Sequence, residues 1–376
     1  MRIFRNILKN ETVFCVSFVL AVLSSLAVRP DQVYFSYPDY RTIALLFCLM
    51  IIVAGLQSQG VFSMLGHVLL RKAGSLKGLS AIMVLLCFFC SMIITNDVTL
   101  LTFVPFTMLV FRLIGRFERI VKLVVLETVA ANLGSMATPI GNPQNLYLYS
   151  VSGLSAGGFA KAVLPYAGLS LVLLMAAVLI GRDEPLMDVG MGEKGQPSDS
   201  RSYAGIVPYL LLLLLCLLVV FRILPYLPVL VIVAAAILIV NRRLYLEVDY
   251  FLLFTFLFFF IFVGNLKRIP EISSLLAAAV GGRELLTGVL ASQIMSNVPA
   301  AILLSGFTRD YSSLLTGVNL GGLGTLIASL ASLISYKIFT REYPDSKGRF
   351  LLVFTFWNVL FLLFLLGEAF LLGIVE

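Results

Sequence analysis

The chain has 376 residues, 60% of them hydrophobic and 12% charged, with 27 Lys and Arg against 20 Asp and Glu for a formal net charge of +7. An average soluble domain carries roughly 25% charged residues; half that amount does not cover a globule of this size, so a soluble enzyme is excluded first. Disorder is excluded with it, because 29 Phe and long Leu, Val and Ile runs do not stay solvated. Residues 207–220 are continuously apolar, whereas the strands of a transmembrane β-barrel alternate. What remains is an all-α polytopic membrane protein, and the basic balance reads as cytoplasmic loops rather than a nucleic-acid surface.

A hydrocarbon core of about 30 Å needs about 20 residues per helix, so the chain holds roughly ten spans and no sizeable soluble domain. Arg2, Arg5 and Lys9 precede an apolar run, with no small-residue cleavage site before Arg29-Pro30. This predicts a retained first helix with its N-terminus in the cytoplasm. Spans are predicted at 12–28, 42–57, 119–149, 162–180, 203–223, 226–241, 250–265, 311–338 and 350–374. Two further apolar stretches, 78–110 and 284–308, are interrupted near their middles by Thr95-Asn96-Asp97 and by Ser296-Asn297-Val298-Pro299.

Loop charge orients them. Basic residues cluster at Arg71, Lys72 and Lys77 and again at Arg112, Arg116, Arg119 and Lys122, on both flanks of the first stretch. Both flanks inside means the stretch enters and returns, so 78–110 is a re-entrant hairpin. Arg242 and Arg243 place the end of 226–241 inside, so 284–308 is entered from the opposite face. The expectation is two inverted-topology repeats, each with a hairpin and a broken transmembrane helix. Unit one covers 1–180 with hairpin 78–110 and broken helix 119–149. Residues 181–202, rich in Gly, Pro and acids, form a cytoplasmic linker. Span 203–223 is the odd crossing that inverts unit two, which covers 224–376 with hairpin 284–308 and broken helix 311–338.

Cys15, Cys48, Cys87, Cys90 and Cys216 all lie in apolar runs, an odd number that makes no disulfide framework. Cys87 and Cys90 have CxxC spacing, yet His67 stands alone and no zinc set is completed. No cofactor is expected.

The chemistry sits in four polar patches: the two hairpin tips, residues 132–145 and residues 319–329. Pro139 and Pro143, beside Gly134, Gly141, Asn142, Gln144 and Asn145, cannot continue a regular helix. Freed backbone groups in lipid cost several kcal/mol each unless satisfied. A polar cavity at mid-membrane satisfies them, with unwound carbonyls facing a cation and half-helix N-termini an anion. The binding candidates are Thr95, Asn96, Asp97, Asn132, Gly134, Thr138, Gly141, Asn142 and Asn145 in unit one, and Ser296, Asn297, Asn319, Gly322 and Thr325 in unit two. Asp97 and Glu127 are the acids placed deep in the apolar map, where a carboxyl is a functional candidate by default and suits a proton carrier or cation ligand. Asp97 also fits a capping role at the second hairpin helix, and Glu127 a hydrogen bond to the other unit.

Thr95-Asn96-Asp97, Asn132-Leu-Gly followed by Thr138-Pro-Ile-Gly-Asn-Pro-Gln-Asn145, Ser296-Asn297-Val-Pro299 and Asn319-Leu-Gly-Gly resemble the ion transporter superfamily. That group includes arsenite permeases, divalent anion:sodium symporters, citrate transporters and sodium/proton antiporters. The resemblance implies an inverted-repeat fold, elevator-like movement and a homodimer. Dicarboxylate symporters carry Ser-Asn-Thr at both tips, where this chain has Asp97 and Val298 in place of threonine, so its motifs are closer to the arsenite permease branch. The expected activity is secondary transport of a small anion or oxyanion coupled to H⁺ or Na⁺ in a bacterial inner membrane, with no enzymatic chemistry. Two alternatives stand beside it: a Na⁺/H⁺ antiporter, and a pore or membrane subunit energised by a separate ATPase, since this chain has no P-loop.

Overall fold

The structure, a computed structural model, describes residues 11–61, 64, 74–180, 183–185 and 205–373. Arg2, Arg5, Lys9, His67, Arg71, Lys72 and most of 181–202 lie outside the described residues. Regular structure among the described residues is helical, α-helices with short 3₁₀ segments between some of them. Unit one contains α1 (Thr12–Ala27), α2 (Tyr40–Ser58), α3 (Leu76–Ile94), α4 (Asn96–Leu113), α5 (Phe117–Ser135), α6 (Pro143–Ser152) and α7 (Ala156–Leu179). After α8 (Val207–Val220), unit two contains α9 (Tyr226–Asn241), α10 (Tyr250–Lys267), α11 (Pro270–Val280), α12 (Glu284–Met295), α13 (Asn297–Ser305), α14 (Tyr311–Leu320), α15 (Leu330–Glu342) and α16 (Lys347–Leu371).

Local sequence sets the helix starts. Asp39 accepts from the Thr42 N–H at α2, and Asp249 accepts from the Leu252 N–H at α10. Ser75 and Ser155 cap α3 and α7 in the same way, each taking one of the donors a helix start leaves free. Gly153, at φ 71°, closes α6 in the left-handed region where a side chain is strained. Arg41 donates to the Val219 carbonyl at 2.6 Å, placing a cation at the carbonyl end of α8. In the loop after α1, Arg268 pairs with Asp31 at 2.7 Å, and its hydrogen bond holds that carboxyl below its ordinary range.

Seven helical segments among the described residues are long and apolar enough to cross a membrane, among them α2, α3, α4, α7 and α10. Their outer faces are large and apolar: Ile239 is 84% exposed and Leu352 75%, which water would penalise and acyl chains would not. The two hairpins are unequal. The arms of the first, α3 and α4, have 19 and 18 residues and are each long enough to cross. The arms of the second, α12 and α13, have 12 and 9. In front of it, α11 and α12 meet at a bend of 112°.

The helices form two groups. In one, α1 packs on α10 and α9 packs on α2, so each unit's outer helix lies on the other unit's second helix, with α8 against α2. Tyr209 lies over Gly55 and Tyr37 over Gly264, and a Cβ at either glycine would overlap the ring. In the other group, α3 and α4 pack on α5, α12 and α13 pack on α14, and α15 lies against α4 and α5. Helix α5 is buried without interruption from Leu123 to Ser135, which explains why its sequence is apolar all round apart from groups with internal partners. The groups meet where α2 touches α6 and α10 touches α13.

Candidate functional site

Each hairpin turns on a single residue. Thr95 joins α3 to α4 and Ser296 joins α12 to α13, and both have φ 72° and ψ 154°. That conformation is close to glycine-only and costs a side-chain-bearing residue about 1–3 kcal/mol. The same strain at corresponding points of both units is the first structural sign of the repeat.

The broken helices give the second. Helix α5 stops at Ser135 and α6 restarts at Pro143, with Asn142 as its cap accepting from the Asn145 N–H. Helix α14 stops at Leu320 and α15 restarts at Leu330, behind Ser329. Asn319, near the end of α14, donates to Asn145 Oδ1 at 2.6 Å and accepts from Asn142 Nδ2 at 3.0 Å. Its counterpart Asn132, near the end of α5, donates to Ser332 Oγ at 3.3 Å and accepts from Ser329 Oγ at 3.0 Å. Ser329 and Ser332 hold the same places around α15 that Asn142 and Asn145 hold around α6. Each unit's first half-helix therefore reads the other unit's second half-helix, the reciprocal contact of a two-fold relation.

The first tip joins the same seam through Asn96. Asn96 donates through Nδ2 to Asn132 Oδ1 at 3.1 Å and through its backbone N–H to the Gly141 carbonyl at 3.2 Å. Thr138 donates to the Met92 carbonyl at 2.5 Å and Thr325 to the Gln293 carbonyl at 3.3 Å, so each break is tied to the helix just before its tip. Two glycines are required by close approach. A Cβ on Gly134 would strike the Phe88 carbonyl and come within 2.7 Å of Ser91 Oγ. A Cβ on Gly141 would strike the Ser135 carbonyl. The counterpart of Gly134 is Gly321, which lies against Ser292, while Gly322 leaves room for Asn297 Nδ2, 2.9 Å from where its Cβ would be.

All four predicted patches thus meet, but not every predicted residue plays the expected part. Thr325 is exposed and Thr138 half-buried, and their hydroxyls hold helix carbonyls in place. Asp97 lies in the first turn of α4, and its Oδ1 is buried with no hydrogen-bond partner among the described residues, so that oxygen caps nothing. Glu127 does not reach the other unit. It is fully buried, accepts from the Thr107 hydroxyl of α4, and keeps Oε2 without a partner among the described residues. Glu284, at the start of α12, is a further buried acid, 3.4 Å from Thr308 Oγ1.

Sequence reasoning missed Gln293. Its amide donates to the Gly321 and Leu323 carbonyls at 2.8 and 2.9 Å and accepts from the Thr325 N–H at 2.9 Å, satisfying the backbone that the second break frees. A lone amide one turn before a tip in an apolar helix was the available signal. Also missed was a further rung. Thr128 donates to Ser335 Oγ at 2.8 Å, extending the polar seam one turn beyond Asn132. The corresponding positions beyond Asn319 are Leu315 and Leu148, both fully buried, so the seam is polar at one end and apolar at the other.

A polar seam built from two broken helices and two strained hairpin tips, inside a shell of apolar helices, is the architecture of a membrane transporter. The chain belongs to the citrate transporter family, whose model matches residues 5–310. It is 31% identical over 343 residues to an uncharacterized transporter of Methanocaldococcus jannaschii, covering 91% of this chain and 92% of that one. It is 35% identical over 306 residues to the inner membrane protein YbiR of Escherichia coli, covering 80% of each. An uncharacterized transporter of Mycobacterium tuberculosis is 26% identical over 334 residues, with 82% and 77% covered.

Proposed function

We propose that this protein is a secondary active transporter of a small anion or oxyanion, carboxylate or arsenite-like, coupled to H⁺ or Na⁺ at a bacterial inner membrane. The observation that carries the reading is the reciprocal seam of Asn132 with Ser329 and Ser332, and Asn319 with Asn142 and Asn145, joined by Asn96 of the first tip. The starts of α4, α6, α13 and α15 converge there, and helix N-termini favour negative charge. No Lys or Arg occurs in the four patches, so a bound anion meets amides, dipoles and a co-bound cation. Asp97, whose buried Oδ1 has no partner among the described residues, is the coupling-ion residue, and Na⁺ would draw on it together with the carbonyls of the breaks. Movement of the hairpins and broken helices against the α1, α2, α8, α9, α10 group is of the elevator kind, in a homodimer.

A second reading rests on the same lack of a cationic side chain: the acids exchange Na⁺ for H⁺ and no anion is carried. Proteoliposomes with an imposed pH gradient and an internal pH dye separate the two. Collapse triggered by citrate, a dicarboxylate or arsenite supports anion transport, and collapse by Na⁺ or Li⁺ alone supports antiport. Asp97→Asn is expected to abolish coupled flux in either case. Coupling and its pH dependence left intact in that variant would remove Asp97 from the mechanism.

A further inference from the structure

We propose that the groove between α4 and α15 is a binding site for an anionic phospholipid. The groove encloses about 370 Å³. One wall is Leu101, Pro105, Met108 and Leu109, a single face of α4, and Arg112 and Arg341 stand at its end with Glu342. Leu101 and Leu109 are 50% and 46% exposed, so the wall opens sideways onto acyl chains rather than toward the seam. From Leu101 to Arg112 the helix rises ~16 Å. That is about the hydrocarbon depth of one leaflet, half of about 30 Å. A lipid of that leaflet therefore has its headgroup at the arginines when a chain lies along the wall.

The charge at the head of the groove is selective for an anion. Arg112 and Glu342 face each other at a loose 3.8 Å with both side chains half exposed, while Arg341 has no ion pair among the described residues. Two cations and one carboxylate leave one net positive charge, and basic pockets between membrane helices take anionic headgroups. A soluble phosphate would use the arginines and ignore the apolar wall, so the occupant is the lipid. The site is separate from the seam and does not depend on which ion the protein carries.

The test uses the chain's single Trp. With Trp357→Phe as background, Leu101→Trp places a fluorophore in the wall of the groove. The protein is reconstituted in phosphatidylcholine vesicles with increasing brominated phosphatidylglycerol, or with brominated phosphatidylcholine as the comparison. Saturable quenching with about fivefold preference for the anionic lipid is expected, the effect of one net charge near the surface. Glu342→Gln should strengthen the preference, Arg341→Gln should reduce it to about one, and Arg112→Gln with Arg341→Gln should take it below one, in protein that elutes as a single folded species. Equal quenching by the two lipids, or a preference that ignores both sets of charge changes, would overturn the proposal. Competition by glycerol phosphate in the same vesicles would also overturn it, by assigning the arginines to a soluble anion.

Discussion

Replacing Thr95 by glycine tests whether the tip strain belongs to function. The residue sits at φ 72° and ψ 154°, and relaxing that conformation is worth about 1–3 kcal/mol. Glycine returns about 0.5–1 kcal/mol of this as extra freedom in the unfolded chain. The net is a gain of about 1 kcal/mol, and at most about 2.5 kcal/mol. The tip geometry is preserved, because the hydrogen bonds around it run through the Thr95 carbonyl and the Asn96 amides. Thr95→Gly should therefore melt higher in detergent than the parent, while transport in proteoliposomes falls if the hydroxyl contacts the ligand. Thr95→Ala separates the two effects, since it removes the hydroxyl and keeps the strain: transport should fall with no stability gain. Ser296→Gly should repeat the pattern at the second tip. A Thr95→Gly protein no more stable than Thr95→Ala would refute the strain argument, and full transport in both would refute the role of the hydroxyl.

Asn319→Leu should cost about 1–3 kcal/mol of stability, because it strands the buried Asn145 Oδ1, while Asn142 Nδ2 keeps Ser135 Oγ at 3.2 Å; chemical denaturation followed by circular dichroism reads it, and Asn132→Leu should behave alike. Gly134→Ala drives a methyl into the Phe88 carbonyl and Ser91 and should cost about 1–3 kcal/mol, seen as reduced yield of monodisperse protein and a lower melting point. Glu127→Gln keeps an acceptor for the Thr107 hydroxyl, so melting should change by less than about 1 kcal/mol. If Glu127 carries the coupling proton, that same variant should lose pH-driven flux, whereas unchanged flux would assign Glu127 to packing.

The breaks and tips were legible in the sequence because their signals are local. Pro139, Pro143 and the surrounding glycines cannot continue one regular helix, and a Thr-Asn-Asp or Ser-Asn-Val triplet in an apolar run needs internal partners wherever it lies. The equivalence of Asn142 with Ser329 and of Asn145 with Ser332 was not legible. The residue types differ, and only the position relative to the restarted helix relates them. Gln293 was missed for a related reason: its counterpart Met92 is apolar and contributes only a carbonyl, so no repeated polar residue marks the place. The partner of Glu127 was also beyond reach, because packing of α4 on α5 decides whether a buried acid meets Thr107 or the other unit.

The unequal ends of the seam have a mechanical meaning. Separating the units at the Thr128–Ser335 end breaks a hydrogen bond but wets hydroxyls that water readily serves, with little net change. Separating them at the other end wets Leu315 and Leu148, and exposed apolar area costs about 25 cal/mol per Å². A two-fold frame would give both ends of the seam the same cost of opening. These four side chains make that cost unequal, so the units part more readily at the Thr128–Ser335 end than at the Leu315–Leu148 end.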